Sequence, residues 1–120
     1  MSDSVLVTET NTVYLLAPHD PRISSERDVM DVIGAALGVK AQWVAIPVAR
    51  LDQRFFDLSS GLAGAMLQKF VNYELKVAIV GDITRHTAQS EPLAAFVRES
   101  NRGSHVCFID SEAKLRAKLA

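Results

Sequence analysis

Cysteine is nearly absent from this chain, with Cys107 the only one in 120 residues. An internal disulfide framework and any C-x-x-C redox motif are therefore excluded. An excess of charge of one sign is missing too: 13 Lys and Arg face 14 Asp and Glu, a net of −1. The basic residues are scattered, apart from Lys114, Arg116 and Lys118 near the end, so no electrostatic footprint for nucleic acid is present. No apolar run approaches the roughly 20 residues that span a bilayer, and no membrane partner is expected. The first residues, Met-Ser-Asp-Ser, lack a basic stretch leading into an apolar one, so the expected location is cytoplasmic.

Nucleotide motifs are also lacking. There is no G-x-G-x-x-G after a strand and no G-x-x-x-x-G-K-[ST] loop. No acidic pair follows an early strand to hold magnesium, as a phosphate-receiver domain requires. His19, His86 and His105 are not spaced as a metal set on one element. No metal or cofactor is implied.

What is present is the composition of a globular domain, 48% apolar and 22% charged. The length suits one domain, residues 1–120, burying roughly two thirds of its unfolded surface. Val5 to Thr8 and Thr12 to Leu16 are β-rich runs separated by Glu9-Thr10-Asn11, a hairpin signal. Pro18 and Pro21 break the next segment. Ser25 and Asp28 stand at capping-box spacing. Behind them Val29, Ile33 and Leu37, joined by Met30 and Ala36, form a helical stripe that stops at Gly38.

Trp43 to Ile46 reads as a buried strand ended by Pro47. Val48 to Phe56 is a loop or short helical turn, followed by a helix from about Ser60 to Tyr73 with a wide apolar stripe. Leu75 to Val80 is almost continuously apolar, as in a central strand covered on both faces. A long loop, Gly81 to Gln89, leads to a helix opened by Ser90, Glu91 and Pro92 and ended at Gly103. His105 to Ile109 is the last strand, and Asp110 or Ser111 caps a terminal helix. The order is β-β-α-β-α-β-α-β-α, which predicts an α/β fold with a mixed, mostly parallel sheet.

In such sheets, sites gather beyond the carboxyl ends of the strands. That rim would carry Arg50, Asp57, Ser59, Ser60, Asp82, Thr84, Arg85, His86 and Asp110. Ser59 and Ser60 stand where a hydroxyl caps a helix, and where a phosphoryl group would meet free N–H groups. Gly61 and Gly64 would let their helix sit close to the sheet, or would offer a backbone surface to a partner. Gly81-Asp82 is a tight strand exit, or a carboxylate shown at the rim beside Arg85 and His86. A Ser60, His86, Asp82 triad can be written, but the G-x-S-x-G elbow that supports such triads is absent. Glu99 and Arg102, beside Asn101 and Gly103, are a further recognition pair, unless Asn and Gly are there to turn the helix exit left-handed.

The stretch FFDLSSGLAGAMLQKFVNYELKVAIVGD with FVRESNRG resembles the bacterial family catalogued as domain of unknown function 4180, over nearly the whole chain. A more distant resemblance is to STAS domains, the anti-sigma-factor antagonists of partner-switching systems. Those share the element order and carry an Asp-Ser-Ser-Gly-Leu-Gly-type sequence, with a phosphorylatable Ser or Thr directly before the Gly. By position that residue is Ser60. Leu58 intervenes after Asp57, and Ala63 stands where the STAS pattern has its second Gly.

The resemblance implies a single-domain STAS-like regulatory module that is non-enzymatic. It would bind a protein partner around Asp57, Ser59, Ser60 and Gly61 at the start of the second helix, switched by phosphorylation at Ser60. The alternative is a small-molecule or enzymatic site around Asp82, Arg85 and His86. A third reading makes Phe55 and Phe56 exposed apolar anchors of an oligomer.

Overall fold

The computed structural model describes residues 3–120. Met1 and Ser2, where the reading of the N-terminus begins, lie outside the described residues. Five strands, β1 (Ser4–Val7), β2 (Thr12–Leu15), β3 (Trp43–Pro47), β4 (Lys76–Val80) and β5 (Val106–Ile109), form one sheet in the order β1-β2-β3-β4-β5. β1 pairs antiparallel with β2 and every later pair is parallel, so the mixed, mostly parallel α/β sheet is as expected. The helices are α1 (Glu26–Gly38), α2 (Leu62–Asn72), α3 (Thr84–Gln89), α4 (Glu91–Arg102) and α5 (Glu112–Leu119).

Because sequence neighbours are also sheet neighbours, right-handed crossovers send every connecting helix to the same face. The two cores divide accordingly. One gathers Val29, Ile33 and Ala36 of α1, Met66, Leu67 and Phe70 of α2, and Leu93 of α4 against Val44, Ile46, Val77 and Ile79. The opposite face carries Val13, Leu15, Trp43, Ala78 and Cys107 and is covered by Leu115 and Leu119 of α5. Lys76 lies over the Trp43 ring, 5.7 Å from its centroid. The hairpin turn also holds α5, since Thr8 Oγ1 and Asn11 Nδ2 both donate to the Leu119 carbonyl, at 2.9 and 3.2 Å. Burial pushes the Cys107 thiol above its ordinary pKa.

Local signals act where they were expected. The Ser25 hydroxyl accepts from Asp28 N–H at 3.1 Å, and Asp28 accepts back from the Ser25 and Ser24 amides. The Ser24 amide is the largest cause of the lowered Asp28 pKa. The Ser90 and Ser111 hydroxyls accept from the Leu93 and Lys114 amides, both at 3.2 Å, and cap α4 and α5 without a reciprocal bond among the described residues. Leu37, read as part of the α1 stripe, is exposed and Val32 takes its place; the buried arc lies at positions 29, 32, 33 and 36, and Leu37 falls at its edge in the last turn.

Four readings are corrected. Gly81 to Gln89 is not a loop throughout, because Thr84–Gln89 forms α3, a short helix without a buried residue. α2 begins at Leu62, and Ser60 lies in the preceding 3-10 turn. Phe55 and Phe56 are 0% and 8% exposed, so they are core residues and not surface anchors. Gly103 is not left-handed, with φ at −85°. Asn101 serves the sheet instead of the helix exit. Its side-chain oxygen accepts from Phe108 N–H at 2.7 Å and occupies a donor on the outer edge of β5, a position that would otherwise invite another strand.

Close packing does not explain Gly61 and Gly64. A Cβ at either would meet nothing within 4 Å. Gly61 is required for its backbone, at φ +78°, between the 3-10 turn and α2. Gly64 has no such need. Gly64→Ala is therefore expected to stabilise the fold by about 1 kcal/mol through helix propensity, seen as a higher midpoint in urea. A loss of stability would mean that something fills the space beside Gly64.

Candidate functional site

The carboxyl ends of β2 to β5 open onto three distinct environments. At the β2 end Asp3, Tyr14 and Arg50 meet beside a cavity of about 230 Å³. The Tyr14 hydroxyl donates to Asp3 at 2.7 Å, and Asp3 also accepts from Ala17 N–H at 2.7 Å. Burial first, and then the Asp3 carboxylate, pushes the Tyr14 phenol up to about 12. Arg50 is buried and donates to the carbonyls of Pro21 and Ala17 at 2.8 and 2.7 Å, with Asp20 at 3.8 Å. Its role is to fasten the proline-broken segment, which also bridges Ile23 to Leu51. Although Arg50 sits at the rim, its guanidinium is spent on the fold.

At the β4–β5 end an open groove of about 810 Å³ runs between Asp82, Thr84, Val97, Phe108, Asp110 and Lys114. Asp82 accepts from the Thr84 amide at 2.9 Å and the Thr84 hydroxyl at 2.7 Å. These bonds, the amide first, hold its carboxyl below the ordinary range. Asp110 pairs with Lys114 at 3.0 Å. Gly81 leaves β4 at φ +140°, and a Cβ there would sit 2.9 Å from Val48 Cγ2, so its presence has a backbone reason independent of any ligand.

Between these two lies a small cleft of about 130 Å³ bounded by Arg22, Gln53, Phe56, Arg85 and His86 over Val48 and Leu51. The His86 ring stacks on Phe56 with centroids 4.0 Å apart and planes within 6°. Burial, and then the neighbouring Arg85, lowers the His86 pKa. Arg85 and His86 thus share a cleft, but Asp82 faces the groove instead. The three do not converge, and no hydrogen bond joins Ser60, His86 and Asp82 among the described residues.

The serine pair lies in the turn before α2. Asp57 accepts from Ser59 N–H at 3.1 Å and from the Ser59 hydroxyl at 2.6 Å. The Ser60 hydroxyl donates to the Arg54 carbonyl at 2.6 Å and accepts from Leu62 N–H at 3.2 Å. Both serines are exposed, as are Gly61, Gly64 and Ala65. Glu99 and Arg102 pair with each other at 3.0 Å on the exposed side of α4.

A family model covers residues 8–119, all of α1 to α5 and β2 to β5. The chain belongs to DUF4180, a family described as a domain of unknown function. No curated protein and no solved structure matches it. The DUF4180 match begins at Thr8, just after β1, so it takes in the serine turn and all three rim environments except Asp3.

Among the described residues of this DUF4180 domain, no three His, Cys, Asp or Glu side chains stand together as a metal site, and no helix is long and apolar enough to cross a membrane. Sequence reasoning missed Arg22, Gln53 and Phe56 as rim residues. Arg22 could have been found, because it follows the end of β2 as Arg85 follows the end of β4. Asp3 left no signal, since only the β1–β2 register brings it to Tyr14.

Proposed function

We propose that this domain is a non-enzymatic regulatory module of STAS-like type, which binds a protein partner through the serine turn and the start of α2 and is switched by phosphorylation at Ser60. The observation that carries the proposal is the placement of Ser60. It is exposed, directly before the left-handed Gly61, and its hydroxyl ties the Arg54 carbonyl to the first amide of α2.

Phosphorylation removes the O–H that donates to Arg54 and adds about two negative charges beside Asp57. Loss of that bond and repulsion from Asp57 both act to open the turn. The N-terminus of α2 attracts the phosphate in the opposite direction. The balance of these forces decides whether phosphorylation opens the turn or tightens it on α2. Next to it, Gly61, Gly64 and Ala65 leave an exposed, smooth helix face, and with close packing removed as a reason for Gly64, a backbone surface for a partner is the reading left.

The test uses Ser60→Ala and Ser60→Asp as baits beside the wild type. The expected result is a stoichiometric partner retained by wild type and Ser60→Ala and lost, or newly gained, by Ser60→Asp. Identical partners for all three folded baits would refute the switch.

A second reading, a small-molecule site at the rim, is favoured by the groove between Asp82 and Lys114, whose size exceeds the ~300 Å³ lower bound for ligand pockets.

A further inference from the structure

The cleft between Arg22, Arg85 and His86 is unlike the rest of the rim in one respect: no carboxylate lines it. Elsewhere the cations near the rim are matched, Arg50 by Asp20, Arg54 by Asp52 and Lys114 by Asp110. Among the described residues Arg22 and Arg85 have no carboxylate within 4.0 Å. Asp52 feels the charge of Arg22 only weakly, and it is held by Arg54 at 3.1 Å.

The groups also come from separate places in the chain: Arg22 from the segment after β2, Gln53 and Phe56 from the turn after β3, and Arg85 and His86 from α3. We propose that this cleft is an oxyanion site that takes the phosphoryl group of a small ligand. Two guanidinium groups supply two positive charges, which match a phosphoryl dianion. They are joined by the amide of Gln53 and by one ring nitrogen of His86, all hydrogen-bond donors. The Phe56 ring fixes the plane of the imidazole from behind. The volume, about 130 Å³, lies well below the roughly 300–1,000 Å³ of pockets for drug-sized ligands. It admits the phosphoryl end of a molecule and leaves the remainder in solvent.

Burial, and then Arg85, lower the His86 pKa, and an anion in the cleft would act in the opposite direction. Arg22 and Arg85 are the charged groups that line the cleft with His86. The site uses neither Ser59 nor Ser60, so it stands or falls apart from the phosphorylation switch.

The experiment is an NMR titration of the His86 ring resonances with inorganic phosphate, phenyl phosphate, acetate and, as an ionic-strength match, sodium chloride. The expected result is a saturable shift with either phosphate, a His86 titration moved to higher pH, and binding weakened about tenfold in each of Arg22→Gln and Arg85→Gln. Tighter binding of phenyl phosphate assigns a phosphomonoester, and tighter binding of inorganic phosphate assigns the free ion. Acetate binding as well as phosphate, the same response to sodium chloride, or full affinity in both folded arginine variants would overturn the assignment. Both arginines are exposed, and an unchanged amide spectrum outside the cleft establishes that each variant is folded.

Discussion

Phe55→Ala is expected to lower the free energy of unfolding by about 4 kcal/mol, the range for deleting a buried aromatic ring. The ring is fully buried and lies 5.3 Å from Phe56 in an edge-to-face pair and 6.5 Å from Phe108 of β5. It therefore joins the turn after β3 to the far strand of the sheet. Urea unfolding should show a lower midpoint with an unchanged slope, and the folded fraction should keep the hydrodynamic size of the wild type. A change below about 1 kcal/mol together with a smaller assembly would instead restore these phenylalanines as oligomer anchors.

The second large effect is at Gly81. Gly81→Ala is expected to destabilise by about 3 kcal/mol, from two causes of similar size. One is the backbone at φ +140°, which side chains with a Cβ rarely adopt and which costs on the order of 1–3 kcal/mol. The other is overlap, since the new Cβ would lie 2.9 Å from Val48 Cγ2 and 3.1 Å from Val48 Cβ. The two are separable with a double-mutant cycle. Val48→Ala removes the Cγ2 contact but leaves the backbone strain, so in that background Gly81→Ala should lose less, by about 1 kcal/mol. Strict additivity would show that the contact with Val48 Cγ2 contributes nothing, leaving the backbone strain and the 3.1 Å approach to Val48 Cβ, which alanine retains, to keep Gly81.

These two sites show what could be read from the sequence. The strands, the caps at Ser25, Ser90 and Ser111, and the sheet class follow from periodicity and local hydrogen bonding, which act over a few residues. Phe55 and Phe56 escape such a reading because their environment is long-range: they sit in a segment without periodicity and meet β5 and α3 only after the sheet is closed. The same holds for Gly81, whose flexibility is local but whose neighbour Val48 comes from the strand exit beside it.

The rim was legible as a place, because parallel strands put their carboxyl ends together. Its grouping was not. Asp82, Arg85 and His86 are close in sequence, yet α3 turns the last two toward Arg22 and leaves Asp82 on the other side. Six helical residues, Thr84 to Gln89, decide that division, and they carry no apolar stripe by which a helix could be recognised. Asn101 was likewise visible only as a helix-exit residue until β5 arrived beside it.

The chain itself allows phosphorylation at Ser60 to be measured directly. Trypsin cleavage after Arg54 and Lys69 releases Phe55 to Lys69, a peptide whose only hydroxyl side chains are Ser59 and Ser60. Fragment-ion mass spectrometry of that peptide, from chain purified out of growing cells and from cells under stress, reads the phosphorylation of each serine separately. A switch at Ser60 requires a phosphorylated fraction located on Ser60 that changes between conditions. A peptide unmodified in every condition, or modified at Ser59 alone, would contradict it.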